Sequence, residues 1–229
     1  MFLLLCPFSE TNVFFSDRVL FTHELDSHDS FEAVDCGTFT TLPNGDDLEK
    51  GSMPRPDLPG HPESKYEEVW RGLKFPEGPD GRTKGISWIL ESESSPSRLP
   101  GEGSQDKEAV QITKTFLARI WGVYVALRQQ QEYTRHREPN GEWLITDRSG
   151  GEVSARREEW VRSPLAAASS PSARSLGWRE RYILGPDAGD LPSLIAGIDG
   201  EAQGFWRERG ATVVVGGESY IVRAFEAIQ

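Results

Sequence analysis

Two side chains in the first part of the chain have types that could transfer protons. His23 ends a β-prone run, and Glu68 stands two positions before Trp70. A histidine titrates near neutral pH, and burial beside an indole raises the pKa of a carboxyl group, so both types suit general acid–base catalysis. His23 and Glu68 are therefore the candidate catalytic residues. The alternative is a solvent-facing role, which is the commoner one for an adjacent glutamate pair such as Glu67-Glu68.

A second set of residues has types that could hold a ligand. Five of the seven tryptophans lie in the second half of the chain, where Tyr124 and an arginine accompany them. In a β-barrel several of these side chains would point inward, and they would form either a packed core or the wall of a cavity. Both outcomes stay open on sequence alone. The candidate ligand-binding residues are Arg119, Trp121, Tyr124 and Trp160.

Motifs that would specify other chemistry are absent from the sequence. There is no P-loop, no glycine-rich dinucleotide loop after a strand, and no Gly-x-Ser-x-Gly elbow. The four histidines do not have the spacing of metal ligands. We therefore expect neither a cofactor nor a metal ion.

Composition limits the class of protein and its partners. The 229 residues include 25 Lys and Arg against 36 Asp and Glu, a net charge of −11, which argues against nucleic-acid binding. No stretch is long and apolar enough for a transmembrane helix, so we expect no membrane association. Two cysteines favour a reducing compartment. The expected location is the cytoplasm, with the nucleus also accessible at this size.

Short β-prone runs separated by turn signals predict an all-β protein, as a sandwich or a barrel. Pro43-Asn44-Gly45-Asp46 is typical of a turn. The many prolines and glycines of residues 51–64 predict irregular structure there. Residues 91–108 are rich in Ser, Glu, Pro and Gly, which predicts a linker or a long surface loop. Residues 193–198 are predicted to form a short strand.

Two segments fit more than one element. Residues 66–73 fit one helical turn or a strand with alternating apolar positions. Residues 109–128 fit a helical stripe and a strand face about equally, although Val, Ile, Trp and Tyr favour a strand.

Three motifs in order resemble the fungal HRI-one family, small proteins named for interacting with a casein kinase I. The family carries similar "THxxDS", "PNGxxLExG" and "YEEVWR" series. Here they read Thr22-His23-Glu24-Leu25-Asp26-Ser27, Pro43-Asn44-Gly45-Asp46-Asp47-Leu48-Glu49-Lys50-Gly51, and Tyr66-Glu67-Glu68-Val69-Trp70-Arg71. Residues 153–160 and 210–223 are similar more loosely.

The resemblance implies two tandem lipocalin-like (calycin-type) antiparallel β-barrels. The implied domains are residues 1–93 and 109–229, joined by a linker at residues 94–108, and residues 114–128 are implied to be strand. Family members carry several more strands before the first motif. In this sequence only roughly twenty residues precede it. We therefore expect either that the first barrel is incomplete or that the N-terminus is shortened.

The family has no established chemistry, so the resemblance transfers no catalytic residue. It implies a cytosolic module that binds a protein, with casein kinase I as the family-type partner, or a small hydrophobic molecule. The alternative function is a cofactor-free enzyme of fungal secondary metabolism, an isomerase or cyclase similar to a hetero-Diels–Alderase, or a dehydratase. Such an enzyme would use a barrel cavity to orient its substrate.

Overall fold

The computed structural model describes residues 18–21, 23–27, 29, 31, 35–55, 58–60, 62–104, 106–161, 177–198 and 205–228. These residues form thirteen β-strands and two short 3₁₀ helices, and the strands pair antiparallel in two sheets. The prediction of an all-β protein is confirmed. The chain divides into two compact units between Lys74 and Phe75.

The first unit contains a four-stranded sheet whose spatial order follows the chain. The predicted turn at residues 43–46 joins its second and third strands, with Gly45 at a φ of 85° and the Leu42 amide donating to the Asp46 carbonyl at 2.7 Å. The strands are β1 (Arg18–Phe21), β2 (Asp35–Thr41), β3 (Asp47–Pro54) and β4 (Glu63–Trp70).

Residues 51–70 contain more strand than the sequence predicts. The irregular structure predicted for residues 51–64 is wrong at both ends, because β3 extends to Pro54 and β4 begins at Glu63. Gly51 lies within β3, where it pairs with Tyr66 and leaves room for that ring. Residues 66–70, for which the sequence left two alternatives, are strand.

The second unit contains a nine-stranded sheet built on one long hairpin. The strands β7 (Lys107–Ile120) and β8 (Val123–Arg137) pair along their whole length. Each of these two strands has two further neighbours, which pair with different parts of its outer side. β5 (Gly85–Glu93) and β6 (Ser97–Ser104) pair with β7, and β10 (Ser154–Val161) and β9 (Trp143–Gly150) pair with β8.

Three further strands extend this sheet. β11 (Gly177–Leu184) pairs with β10, while β13 (Glu218–Ile228) pairs with β5 and with β12 (Thr212–Val215). In the described ranges no pairing joins β11 to β12, so these two strands remain separate ends of the sheet. The strand expected over residues 114–128 is present as two strands joined by a turn at Trp121 and Gly122.

The segment predicted as an interdomain linker has a different structure. Within residues 94–108, residues 97–104 are β6 and pair with β7, and β7 itself begins at Lys107. β5, which precedes the segment, pairs with β7 in the same sheet. The contacts therefore divide the chain at Lys74 and Phe75 and not at residues 94–108, because β5 obtains its neighbours from β7 and β13.

The main core of the second unit lies on one face of its sheet. It joins the buried faces of β5, β7, β8, β12 and β13 to residues of the connection between β11 and β12. The strand predicted for residues 193–198 is wrong: these residues form a turn that packs on the core through Leu194. The core includes Trp88, Leu90, Leu117, Tyr124, Ala126, Leu191, Leu194, Trp206, Val213, Val215, Tyr220 and Val222.

Candidate functional site

Arg119 is a buried cation near the C-terminal end of β7, beside the turn of the long hairpin. Its residue is 2% exposed, and one guanidinium nitrogen lies 2.5 Å from an Asp80 carboxylate oxygen. Its Nε donates to the Trp121 carbonyl at 2.9 Å, and the guanidinium lies 5.5 Å from the ring centre of Trp178. An ion pair, a backbone acceptor and a cation–π contact therefore all hold this side chain in place.

The hairpin turn beside Arg119 is closely packed. Trp121 has a φ of 52°, a left-handed value that costs a bulky residue about 1–2 kcal/mol. Packing of the Trp121 side chain offsets this cost, because the Phe75 ring stacks on the Trp121 ring with centroids 5.4 Å apart. A Cβ on Gly85 would collide with the Trp121 ring, and a Cβ on Gly122 would collide with the Glu77 carbonyl. The turn is therefore fixed by its neighbours.

The other two predicted ligand-binding residues lie next to this turn. Tyr124 is opposite Arg119 in the hairpin and is fully buried, and its hydroxyl donates to the Pro192 carbonyl at 2.7 Å. The Trp160 amide donates to the Gly122 carbonyl at 2.8 Å, and its ring meets Trp178 edge to face. The structure thus brings Arg119, Trp121, Tyr124 and Trp160 together. Their role in binding a ligand stays a prediction.

Glu158 belongs to the same neighbourhood and was not among the predicted site residues. It lies opposite Tyr124 on β10 and is 0% exposed. Its carboxylate accepts hydrogen bonds from the Ser193 hydroxyl at 2.5 Å and from the amides of Leu194 and Ile195 at 2.9 and 3.2 Å. These donors come from the turn at residues 193–198, so Glu158 fastens that turn to the sheet.

The two predicted catalytic residues are separated within the first unit. His23 follows β1, and its Nδ1 lies 2.6 Å from the Asp26 carboxylate. Glu68 lies on β4, the strand at the other end of the sheet order, and is exposed. Because β2 and β3 run between β1 and β4, about 14 Å of sheet separates the strands that carry or precede these residues. No contact in the described residues joins them as an acid–base pair.

A buried glutamate of the motif at residues 43–51, which was not among the predicted site residues, lies directly opposite Glu68. Glu49 on β3 is 2% exposed and accepts hydrogen bonds from the Tyr66 hydroxyl at 2.8 Å and from Trp70 Nε1 at 2.6 Å. The Cβ of any residue other than glycine at position 37 would collide with this carboxylate. Local patterns could not reveal the site, because it depends on the register between β3 and β4.

Two titratable groups outside these clusters have displaced pKa values. Hydrogen bonds and charge from Arg71 hold the pKa of Asp46 below its ordinary value, and the Asn44 amide acts in the same direction. Burial raises the pKa of Tyr220 above its ordinary value, and its hydrogen bond to Glu218 raises it further. The Asp46–Arg71 pair is placed by the turn between β2 and β3, and Tyr220 belongs to the core of the second unit.

The described residues contain neither a group of metal ligands nor a membrane-spanning helix. Within those ranges, no three His, Cys, Asp or Glu side chains are grouped so that they could hold a metal ion. The same part of the chain has no helix of the length and apolar character needed to cross a membrane.

The described residues form an all-β protein with two antiparallel sheets. The buried polar side chains described above are hydrogen-bonded to other groups of the chain. A family model described as Protein HRI1 matches residues 9–197, which is most of the chain. The chain belongs to this family, and the resemblance noted in its motifs is confirmed. Comparisons with curated proteins and with solved structures gave no match.

Proposed function

We propose that this chain is a noncatalytic protein-binding module and that β9 is its docking strand. Trp143, Leu144 and Ile145 are consecutive and exposed at the start of β9. β9 pairs with β8, and the described residues provide no second neighbouring strand. Exposed apolar residues on an open edge favour aggregation unless a partner covers them, and an extended segment of a partner can add to such an edge as a further strand.

The buried polar groups of the second unit support a binding role over catalysis. Arg119 is bonded to Asp80 and to a backbone carbonyl, Tyr124 to a backbone carbonyl, and Glu158 to three donors of one turn. Groups that are engaged in this way stabilise the fold and are poorly placed to exchange protons with a substrate. The enzyme alternative has no comparable observation in its favour.

The partner that we propose is a kinase of the casein kinase I type, which the family resemblance implies. The test measures binding of the full chain to a recombinant kinase catalytic domain by biolayer interferometry. Leu144→Lys should weaken binding at least about tenfold, because it places a charge in the centre of the apolar edge. Val214→Lys is the matched control, since Val214 is as exposed as Leu144 but lies on β12.

Three outcomes decide between the parts of this proposal. Loss of binding in Leu144→Lys with normal binding in Val214→Lys supports β9 as the docking strand. Equal effects of the two variants would reject β9. Absence of binding by the unaltered chain would reject the kinase.

We infer that the two sheets correspond to the tandem lipocalin-like barrels of the family, which is supported by the antiparallel pairing in both sheets and by the chain order of the strands in the first. A solved structure in which either sheet closes would support this inference, and one with two open sheets would reject it. We further propose a cytoplasmic location with access to the nucleus, which imaging of a fluorescent fusion tests.

A further inference from the structure

One face of the sheet in the first unit combines aromatic rings with carboxylates. Glu49 lies opposite Phe39 on β2 and opposite Glu68 on β4, so these three side chains share a face. Tyr66 and Trp70 are two positions from Glu68 along β4 and therefore lie on the same face. We call these five residues the Glu49 face.

The buried carboxylate of this face is held by neutral donors. Glu49 is 2% exposed, and its two oxygens accept from the Tyr66 hydroxyl and from the Trp70 indole. The described residues supply no salt bridge to Glu49. Buried carboxylates are ordinarily paired with a cation, because a neutral hydrogen bond replaces only part of the lost hydration. In the described part of the chain, the carboxyl groups of Glu49 and Glu68 therefore lie on a face where no basic group pairs with them.

The surrounding charges strengthen this imbalance. Asp47 lies opposite Trp70 and adds a third carboxylate to the same side of the sheet. The basic residues of β3 and β4 are Lys50 and Lys65, which alternate onto the other side, where Lys50 Nζ lies 2.6 Å from Glu67. Arg71, after β4, is bonded to Asp46 in the turn between β2 and β3.

The Trp70 ring is accessible, while the Tyr66 and Phe39 rings are half-buried. Trp70 is 38% exposed, and Glu68 beside it is also exposed. The Trp70 and Phe39 ring centres are 6.4 Å apart with a 50° angle between their planes. Ring faces attract cations, and the negative carboxylates below and beside the rings add to this attraction.

We propose that the Glu49 face binds the alkylammonium end of a lysine side chain presented by a protein partner. A lysine combines a charged head, which complements the carboxylates, with a methylene stem that packs on aromatic rings. An open sheet face suits the tip of a side chain that a larger molecule carries. This site is in the first unit and does not depend on β9, so it goes beyond the function proposed above.

The test follows the indole Nε1–H signal of Trp70 by NMR while Nα-acetyl-lysine methylamide is added to the full chain. The norleucine analogue, which has the same stem without the charge, is the matched neutral ligand. The lysine compound should shift the Trp70 signal in a saturable way, whereas the norleucine compound should produce little shift. Equal shifts by both compounds would overturn the proposal, because the face would then recognise only the apolar stem.

Two pairs of variants test the residues. Glu68→Gln should weaken binding about threefold and Glu49→Gln about tenfold, because each removes a negative charge from the face. Glu67→Gln is the control for Glu68→Gln: it removes the same charge from the neighbouring position, on the other side of β4. Its affinity should equal that of the unaltered chain, and equal losses in both would reduce the effect to net charge and overturn the proposal.

A final arm separates the source of the ammonium group. n-Butylamine presents the same charged stem as a free molecule. If it binds at least tenfold more tightly than the lysine compound, the site belongs to a free amine and the assignment to a protein side chain is overturned. If Glu49→Gln fails to fold, which its thermal unfolding curve shows, Glu68→Gln still decides the matter because Glu68 is exposed.

Discussion

Glu49 in the first unit and Glu158 in the second are both buried on a sheet face, yet their carboxylates are held differently. Glu158 accepts from a hydroxyl and two backbone amides of one turn, and Arg156 lies 3.5 Å from it. Glu49 accepts from two side chains that lie at an accessible surface, without a basic partner in the described residues. The Glu158 carboxylate therefore anchors a chain segment, while the Glu49 carboxylate is held by side chains of its own sheet.

The difference shows that burial alone does not identify a functional carboxylate. What separates the two sites is the origin of the hydrogen-bond donors. Backbone donors of a turn, as at Glu158, lose their acceptor if the carboxylate moves, so the arrangement must stay fixed. Side-chain donors such as the half-buried Tyr66 and the exposed Trp70 at Glu49 can keep their hydrogen bonds while a cation contacts the Trp70 ring from outside.

The largest expected effect is that of Glu158→Ala. It leaves the Ser193 hydroxyl and the amides of Leu194 and Ile195 without their acceptor, and charge-assisted hydrogen bonds are worth about 1.5–3 kcal/mol each. We expect the free energy of unfolding to fall by about 3 kcal/mol or more, as measured by urea denaturation. Glu159→Ala is the control, because Glu159 pairs with Arg157 and Arg181 at the partly exposed side of β10 and should lose about 1 kcal/mol or less. Equal losses would contradict the anchoring role.

A smaller loss of stability is expected from glycine substitutions in one turn of each unit. Gly122→Ala should destabilise the chain by about 2 kcal/mol, because its Cβ would overlap the Glu77 backbone carbonyl. Gly45 has open space around it and a φ of 85°, so Gly45→Ala should cost about 1 kcal/mol through backbone strain alone. Thermal unfolding of both variants measures the difference. Gly177→Ala, which meets no atom within 4 Å and has no left-handed φ, serves as the unstrained reference. A smaller loss in Gly122→Ala than in Gly45→Ala would show that the second turn yields easily.

Glu49→Gln is expected to change stability by less than about 1 kcal/mol. A glutamine carbonyl can still accept from Trp70, and its amide can donate to the Tyr66 oxygen, so both hydrogen bonds persist without the buried charge. Urea denaturation of Glu49→Gln and Glu158→Gln provides the comparison, since the second variant loses charge-assisted bonds. If Glu49→Gln were the more damaging variant, the proposed distinction between the two carboxylates would fail.

The sequence predicted the class of fold well and the sites only in part. Turns with a local signal, such as Asn44-Gly45, were found because the signal and the structure span the same few residues. The Ser-, Gly- and Pro-rich residues 97–104 form a strand because β7 supplies the pairing, a partner that composition does not reveal. Residues 193–198 looked like a strand, but Glu158 holds them as a turn from thirty-five positions away.

The site residues also differ in how far the sequence alone could place them. Arg119, Trp121, Tyr124 and Trp160 lie near one another because the hairpin keeps three of them close in sequence and β10 pairs with β8, while their role in binding a ligand stays a prediction. Glu68 shares a face of β4 with Trp70, as the two-residue spacing predicts, but its side chain is exposed and not buried beside the indole, and its catalytic role stays a prediction. Glu49 was missed because its partners Tyr66 and Trp70 reach it through the register of β3 and β4, which an irregular connection joins and no local pattern sets.

The smallest effect concerns the Asp46–Arg71 pair at the turn of the first unit. Arg71→Gln removes the hydrogen bonds and the charge that lower the pKa of Asp46, so this pKa should rise toward its ordinary value while the Asn44 amide keeps part of the lowering. A carboxyl pKa that is lowered in the folded state contributes stability above the unfolded pKa, and the contribution is lost as pH falls through the folded pKa. The variant should therefore begin acid unfolding at a higher pH. NMR titration of the Asp46 carboxyl carbon measures the shift, and Lys50→Gln, which removes a cation that pairs with Glu67, should leave it unchanged. An Asp46 pKa that is the same with and without Arg71 would show that the turn itself, and not the arginine, stabilises the charge.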